Sequence, residues 1–246
     1  MIKKALHFVD AKSDKFWWIE TLESEFVVNF GKTGTSGRYQ IKEFDSNEEC
    51  EKEAKKLISQ KIKKGYKEYP EFDFTNHLYF DDEEYGLHPL TSHPNFREHF
   101  KDELYYDCGE EEAPFGSDEG SDTLGDMQEV VRKKGIIDFT QYPQSLIENV
   151  WDMKYIPASD MQEATVKELV AKDEMNLIQS DMVTYASAFG QIKITGFVNP
   201  ELKERAILAI KRTDIVAKIQ GWMKDRDTSE ISDIMIKDLT SFDKYE

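Results

Sequence analysis

The chain has 246 residues, of which 39% are apolar and 12% aromatic, so it can bury a core. Its formal net charge of −17 argues against nucleic-acid binding by an evenly charged surface. No run of 18 apolar residues exists, and the first residues lack the apolar core of a signal peptide, so we expect a cytoplasmic protein without a membrane span.

The charge is distributed unevenly along the chain. Residues 1–70 hold 14 Lys and Arg against 12 Asp and Glu. Residues 71–126 hold 2 against 17, and residues 127–246 hold 16 against 20. A near-neutral to basic first part is therefore joined to a strongly acidic segment, and such asymmetry bears on partners and solubility more than on fold.

The first 45 residues predict an antiparallel sheet of four strands. The runs are short, aromatic and β-branched, and turn residues separate them: Ala5–Val9, Phe16–Glu20, Phe26–Phe30 and Tyr39–Phe44. Because side chains alternate along a strand, Phe16 and Trp18 point to one face and Trp17 and Ile19 to the other. At least one face therefore needs a cover.

A helix after the sheet is predicted to supply that cover. Ser46 and Glu49 form a capping-box signature, and Gly65 is placed to close the helix. An apolar stripe follows helical spacing at Cys50, Ala54, Leu57, Ile58 and Ile62. The sheet and the helix are expected to bury each other in a domain of residues 1–70.

The rest of the chain is predicted to be a loop-rich connection followed by helices. Residues 71–125 are acidic and irregular but rich in aromatic residues, so we expect them to pack on the C-terminal part, with only Gly109–Ser121 loose. Residues 126–246 make the helical domain. The predicted helices are Asp122–Lys134, Tyr142–Asp152, Ser159–Ala171, Glu174–Phe189, Pro200–Arg212, Asp214–Lys224 and Ser229–Phe242. The fold class is therefore α+β.

The turn Asn29–Arg38 is dense in glycine, lies between apolar strands and precedes a lysine-rich helix that ends in Lys63-Lys64-Gly65-Tyr66. This order resembles a WGR domain, named for a Trp-Gly-Arg run at the end of a strand. The matching positions here are Phe30, Gly31 and Lys32. The resemblance implies an antiparallel sheet with one packed helix.

The resemblance also implies a site for nucleic acid. In the WGR domains of poly-ADP-ribose polymerases, this region helps to hold the end of a broken DNA duplex. By that likeness Phe30 would stack near a terminal nucleotide and Lys32 would neutralise a phosphate, although without the indole of Trp and the bidentate fork of Arg. Arg38 and Lys42 would add phosphate contacts, and Gly31 and Gly34 would let backbone N–H groups approach an anion.

Ordinary structural roles explain the same residues equally well. The glycines fit a hairpin turn that needs positive φ, with Phe30 in the core. The helix lysines 52, 55, 56 and 63, with 61, 64 and 67 close by, form either a phosphate track or a solvated face. The solvated face is favoured because Glu51 stands four residues before Lys55 and acids occupy the first turn.

A second resemblance covers most of residues 76–246. The run Ser92-His93-Pro94-Asn95-Phe96 and the run Ala113–Leu124 are similar to bacterial proteins of the uncharacterised YfeS-like group, some of which carry a WGR domain. That group brings no assigned activity. Bacterial relatives with the WGR domain have been labelled molybdate-metabolism regulators, a label that these residues neither support nor exclude.

Metal and catalytic sites are not indicated. Asp118–Asp122 does not follow the calcium-loop pattern, and Ser121 or Asp122 is expected to cap the next helix. No histidine pair has the spacing of a zinc protease. Cys50 and Cys108 belong to no Cys-x-x-Cys pair and are expected to be free thiols. No nucleophile or phosphate-loop motif occurs, so we expect neither catalysis, nor a cofactor, nor a metal.

Two functions follow from these patterns. In the first, the protein binds a DNA or RNA backbone or end through Phe30, Gly31, Lys32, Gly34, Arg38 and Lys42, or regulates through that contact. In the second, the WGR-like domain or the acidic segment engages another protein, such as a basic one, and no nucleic acid is bound. The steepness of the salt dependence of binding distinguishes the two.

Overall fold

A five-stranded antiparallel sheet and one helix form the N-terminal part of the computed structural model, which describes residues 1–223 and 228–245. The strands are β1 Lys3–Val9, β2 Asp14–Leu22, β3 Glu25–Lys32, β4 Arg38–Glu43 and β5 Lys67–Glu68, and the helix is α1 Asn47–Lys63. Their order across the sheet is β4-β3-β2-β1-β5. The four predicted strands and the helix are confirmed, and the two-residue β5 is additional.

The helix α1 covers one face of the sheet. Ser46 caps it, since its hydroxyl accepts a hydrogen bond from Glu49 N at 3.2 Å. Cys50 and Ala54 are fully buried against Trp17 and Ile19. The predicted cap is therefore confirmed, and so is the burial of Cys50 and Ala54, whereas Ile62 at the end of the predicted stripe is 46% exposed.

The segment after β5 covers the opposite face. Trp18, which is fully buried, contacts the rings of Phe72, Phe74 and Tyr79 at centroid distances of 6.5, 5.5 and 6.0 Å. Residues up to His93 belong to the same compact unit as the sheet, Met1–His93. The first part of the acidic connection, which the sequence led us to expect on the C-terminal part, therefore packs on the sheet, because the outward face of β2 needs an apolar cover of its own.

An acidic side chain also reaches the outer edge of the sheet. Asp82 Oδ2 accepts a hydrogen bond from Ile41 N of the edge strand β4 at 3.0 Å. The other oxygen, Oδ1, accepts from Glu84 N at 2.8 Å and so fixes the turn that follows. Asp82 is 8% exposed, which identifies it as a structural residue of this edge.

The second compact unit, Pro94–Glu246, is mostly helical. Its helices are α2 Pro94–His99, α3 Asp118–Lys134, α4 Tyr142–Ser145 followed by a π turn Leu146–Val150, α5 Glu163–Thr195, α6 Pro200–Gln220 and α7 Glu230–Ser241. Single 3₁₀ turns occur at Pro89–Thr91 in the first unit and Glu103–Tyr105 in the second. In the described part of the chain, no helix combines the length and the apolar character needed to cross a membrane.

Several predicted helix boundaries differ from the observed ones. Helix α3 begins earlier than expected because Ser117, and not Ser121 or Asp122, caps it by accepting from Gly120 N at 3.0 Å. The predicted break before Glu174 is a kink at Asp173 (φ −164°, ψ 68°) within α5. No break occurs at Thr213, so α6 is one helix, and the predicted end at Lys224 lies outside the described residues.

A buried ion pair joins α5 to α6. The Arg212 guanidinium donates to Asp181, with Nη2 to Oδ1 at 2.7 Å and Nε to Oδ2 at 2.9 Å. It also donates to the carbonyl oxygens of Ile156 at 2.6 Å and Pro157 at 2.9 Å. Both charged side chains are 1% exposed, so Arg212 satisfies a buried carboxylate and two buried carbonyl groups at once.

Candidate nucleic-acid interface

Strand alternation and register place four of the predicted site residues on one face of the sheet. Phe30 of β3 is the cross-strand partner of Arg38 of β4, and Phe26 is the partner of Lys42. Lys32 follows Phe30 by two residues and therefore points to the same side. This is the face that α1 covers, since Phe30 packs against the buried cluster beneath the helix.

A groove of about 880 Å³ runs between α1 and β4 on this face. Its floor is apolar and its rims carry both charges. The lining residues include Trp17, Phe26, Val28 and Phe30 on the floor, Arg38, Gln40 and Lys42 on β4, Glu53, Leu57 and Lys61 on α1, and Asp82, Glu83 and Glu84 beyond β4. Phe30 is half-buried, so part of its ring is available for stacking at the margin of the core.

Lys61 projects from α1 onto a set of aromatic rings in this groove. Its Nζ lies 5.4 Å from the ring centroid of Trp17, 5.9 Å from that of Phe30 and 5.3 Å from that of Tyr66. Among the described residues no carboxylate pairs with Lys61. Burial, with a smaller contribution from Lys64, lowers the pKa of the Lys61 ammonium. The rings hold a partly dehydrated cation in place without neutralising it.

Two further lysines face each other beside Phe30. Lys15 of β2 and Lys32 of β3 are direct cross-strand partners, and both side chains are exposed. Like charges that face each other in this way destabilise a sheet, by about 0.2–1 kcal/mol. Neither lysine pairs with a carboxylate in the part of the chain that the structure describes. The end of the groove nearest the β3–β4 turn therefore concentrates positive charge.

The other two predicted site residues, Gly31 and Gly34, belong to the turn itself. A Cβ atom at Gly31 would lie 2.8 Å from the Gly37 Cα, so the two glycines allow the strands to approach closely here. Gly34 lies at the exposed tip with φ +84°, and a Cβ atom there would have no neighbour within 4 Å. Only Gly34 is thus open to an incoming ligand.

Arg38 and Lys42 have weak contacts that an anion can displace. Arg38 Nη2 lies 3.3 Å from Glu83 Oε2, and the two side chains are 62% and 85% exposed. Lys42 Nζ lies 4.9 Å from the Phe44 ring centroid. An exposed ion pair of this kind is worth about 0–1 kcal/mol. Glu83 thus binds Arg38 only weakly, so an anionic ligand can take its place.

A short relay of polar groups supports the turn from below. His77 Nε2 donates to Asn29 Oδ1 at 3.0 Å, and Asn29 Nδ2 donates to the Ser36 carbonyl at 3.0 Å. Burial, and then the nearby His93, lowers the pKa of His77 from 6.5 to about 4. His77 is therefore neutral near pH 7. Because the Asn29 Oδ1 can only accept, the hydrogen bond places the His77 proton on Nε2.

This relay predicts a loss of stability in mild acid. The folded protein binds a proton at His77 less readily than the unfolded chain does. The free energy of unfolding is therefore highest above pH 6.5 and decreases as the pH falls towards 4. We expect about 2 kcal/mol to be lost between pH 7 and about pH 5, because each pKa unit corresponds to about 1.4 kcal/mol.

The measurement is urea unfolding at several pH values, followed by fluorescence. A Trp151→Phe, Trp222→Phe background leaves Trp17 and Trp18 to report on the first unit. His77→Gln removes the titrating group but keeps a donor for Asn29. Its unfolding free energy should fall less steeply between these pH values than that of the parent. Equal slopes would contradict the prediction.

The structure adds two residues, Lys15 and Lys61, to the site that the sequence predicted. Lys15 was not predicted as a site residue because its position opposite Lys32 depends on the β2–β3 register, which the sequence patterns do not specify. Lys61 belongs, by sequence, to the solvated lysines of α1. The pairs Lys55–Glu51 and Lys56–Glu53, both at 2.9 Å, confirm that interpretation for those two lysines. Lys61 instead extends over the aromatic rings of the groove.

The histidine and the acidic run considered as possible metal ligands have structural roles. His88 lies 3.0 Å from Glu25, and Asp118–Asp122 forms the first turn of α3. Within residues 1–223 and 228–245, no group of three or more His, Cys, Asp or Glu side chains is arranged to hold a metal ion. Cys50 is buried, Cys108 is exposed, and both are free thiols, as the sequence predicted.

Comparison with known proteins agrees with the geometry of this domain. Residues 2–73 match the WGR domain family. The chain is 49% identical over 241 residues to the uncharacterised protein YfeS of Escherichia coli K12, covering 98% of both proteins. It is 44% identical over 64 residues to the protein YehF of the same organism, covering 25% of this chain and 23% of YehF.

A solved structure is similar to part of the chain. This protein, from Bacteroides fragilis, aligns at 34% identity over 43% of this chain and 31% of its own, with a TM-score of 0.28. The chain therefore spans less than a third of that protein.

Proposed function

This chain belongs to the YfeS-like family and carries a WGR domain at residues 2–73, and we propose that it is a non-catalytic cytoplasmic protein that binds a nucleic-acid backbone or end. WGR domains generally bind nucleic acid. In this proposal the WGR domain makes the contact, and the acidic composition of the rest of the chain limits non-specific binding. The ligand lies at the end of the groove beside the β3–β4 turn.

The observation that carries the proposal is the convergence of unpaired cations on aromatic rings. Lys15 and Lys32 oppose each other, and Lys61 lies over Trp17 and Phe30. A phosphate between Lys15 and Lys32 would relieve the repulsion between their ammonium groups. A base or sugar would then stack on the exposed part of Phe30, a contact worth about 1–3 kcal/mol for a base on an aromatic ring.

The test is a fluorescence-anisotropy titration of the full chain with blunt and nicked duplex DNA and with single-stranded RNA, at low and physiological salt. Each phosphate contact contributes about 0.9 to the slope of log affinity against log salt on duplex DNA. We therefore expect Lys32→Ala to weaken duplex binding and to flatten the slope by about one unit.

Two further variants make the titration specific. Lys56→Ala is the matched control, because Lys56 belongs to the same domain but pairs with Glu53 on the solvated face of α1. It should leave the slope nearly unchanged. Glu83→Gln should strengthen binding, since it releases Arg38 and removes a negative charge from the groove. Equal effects of Lys32→Ala and Lys56→Ala would refute the site.

A protein partner is the second candidate function. The groove combines an apolar floor with carboxylates of Glu53, Glu83 and Glu84 close to Arg38 and Lys42, and such mixed charge around an apolar centre is typical of protein interfaces. If none of the nucleic acids binds even at low salt, this candidate replaces the first. The groove variants then become probes for the protein partner.

A further inference from the structure

The second compact unit contains a small pocket that is separate from the WGR domain. It has a volume of about 300 Å³ and lies between α5, α6 and the start of α7. Pockets of this size are at the lower end of those that hold small molecules. Its walls include Met182 and Tyr185 of α5, Met235 of α7, and Trp222 and Met223, which follow α6.

One carboxylate in this pocket has an oxygen without a partner. Asp214 is 4% exposed, and its Oδ1 accepts hydrogen bonds from Ser229 N at 3.2 Å and Ser232 Oγ at 2.8 Å. Its Oδ2 is buried and has no hydrogen-bond partner among the described residues. An unsatisfied buried carboxylate oxygen is costly, so it points to a missing donor.

The surroundings of Asp214 indicate the charge of that donor. Glu111 and Glu112 line the same pocket, and no Lys, Arg or His of the described residues lines it. Burial raises the pKa of Asp214, and a cation beside Oδ2 would oppose that effect. Among the described lining residues an anion would meet three carboxylates and no cation, so this lining favours a positively charged ligand.

The walls indicate the rest of the ligand. Methionine side chains are flexible and polarizable, so Met182, Met223 and Met235 adapt to an apolar body. Trp222 is 63% exposed, an unusual position for an indole, and it offers a ring face to a cation. The ligand thus combines one positive charge with a compact apolar group.

We propose that this pocket binds a small organic ammonium ion, whose N–H groups donate to Asp214 Oδ2 and whose apolar body contacts the methionines and Trp222. The ammonium supplies the donor that Asp214 lacks, and its charge matches the acidic rim. This proposal is independent of nucleic-acid binding by the WGR domain, so either can fail without the other.

The experiment uses the full chain labelled with [methyl-¹³C]methionine, and the probe is 2-phenylethylammonium. Phenylacetate and 2-phenylethanol are matched probes with a negative charge and no charge. We expect the methyl signals of Met182, Met223 and Met235 to shift in a saturable way with the ammonium. Met127 of α3 and the exposed Met175 should not respond. Phenylacetate should bind at least about tenfold more weakly, a difference of about 1.4 kcal/mol.

Variants then locate the charge. Asp214→Asn keeps the Oδ1 acceptor for Ser229 and Ser232 and should weaken ammonium binding at least about tenfold, consistent with loss of a charge-assisted hydrogen bond. Trp222→Ala changes an exposed residue and should weaken it about two- to fivefold. Asp126→Asn is the matched control, since Asp126 lines a different cavity.

The wild-type result alone can overturn the proposal, even if a variant fails to fold. Equal affinity for the ammonium and the carboxylate would overturn it. The same holds if no pocket methionine shifts with the ammonium up to about 10 mM, the range of weak small-molecule binding. Shifts confined to methionines outside the pocket would also overturn it.

Discussion

Arg212→Met should destabilise the helical unit by about 3–5 kcal/mol or prevent its folding, because it leaves the buried Asp181 carboxylate without its counter-ion. The carbonyl groups of Ile156 and Pro157 lose their donor as well. Urea unfolding followed by ellipticity at 222 nm measures the effect, since most helices of the chain belong to this unit.

A double-mutant cycle separates the ion pair from the rest of the loss. Asp181→Leu alone should also be strongly destabilising, because it strands the guanidinium. The double variant should lose less stability than the sum of the two single losses, and the difference, the coupling energy, should be about 1–3 kcal/mol. Lys133→Ala, which breaks the exposed Glu129–Lys133 pair of α3, is the control and should cost about 0.5 kcal/mol or less. An Arg212→Met cost as small as that of the control would contradict the prediction.

Gly37→Ala should destabilise the WGR domain by about 2–4 kcal/mol. The residue has φ +69°, and an alanine Cβ would lie 2.6 Å from Phe16 Cζ and 2.9 Å from the Phe30 carbonyl oxygen. The left-handed backbone contributes about 1–2 kcal/mol, and overpacking against a buried ring adds about 1–3 kcal/mol. Urea unfolding followed by the fluorescence of Trp17 and Trp18 measures the total in the Trp151→Phe, Trp222→Phe background.

Gly34→Ala is the matched variant for this test. Gly34 has a similar backbone conformation, φ +84°, but no atom lies within 4 Å of its Cβ position. Its substitution should cost only the backbone contribution of about 1–2 kcal/mol. The difference between the two variants therefore measures the contact of Gly37 with Phe16. If both variants lose the same stability, the close approach does not constrain the turn.

Local signals in the sequence predicted the elements whose determinants are local. Ser46 caps α1 and α6 begins at Pro200, both as expected, because a cap or a proline start depends on a few adjacent residues. The break predicted before Glu174 is observed as the kink at Asp173. The helix nevertheless continues to Thr195, because the residues after the kink are mostly buried and their tertiary contacts stabilise it. Such contacts override local propensity.

The packing partner of residues 71–93 was not predictable from the same signals. Phe72, Phe74 and Tyr79 are recognisable as residues that need burial, but their pattern does not state which surface receives them. The face of β2 that carries Trp18 provides that surface. The charge boundary at residue 70 is therefore not the boundary of the compact unit, which falls at His93.

The sequence predicted those residues of the candidate site whose positions follow from strand alternation. Phe30, Lys32, Arg38 and Lys42 share a face because they occupy alternate positions on two adjacent strands. Lys61 requires the packing angle of α1, which no sequence period specifies. The pocket around Asp214 arises from three helices that are distant in sequence, so no motif indicates it.

The contact between Asp82 and the backbone of β4 bears on the behaviour of the protein at high concentration. An unpaired edge strand is a template on which strands of other molecules assemble into aggregates. Here a carboxylate occupies the Ile41 N–H, so an incoming strand must first displace a charged side chain that also holds its own turn. The charge places a barrier to intermolecular sheet growth at an edge that would otherwise promote it.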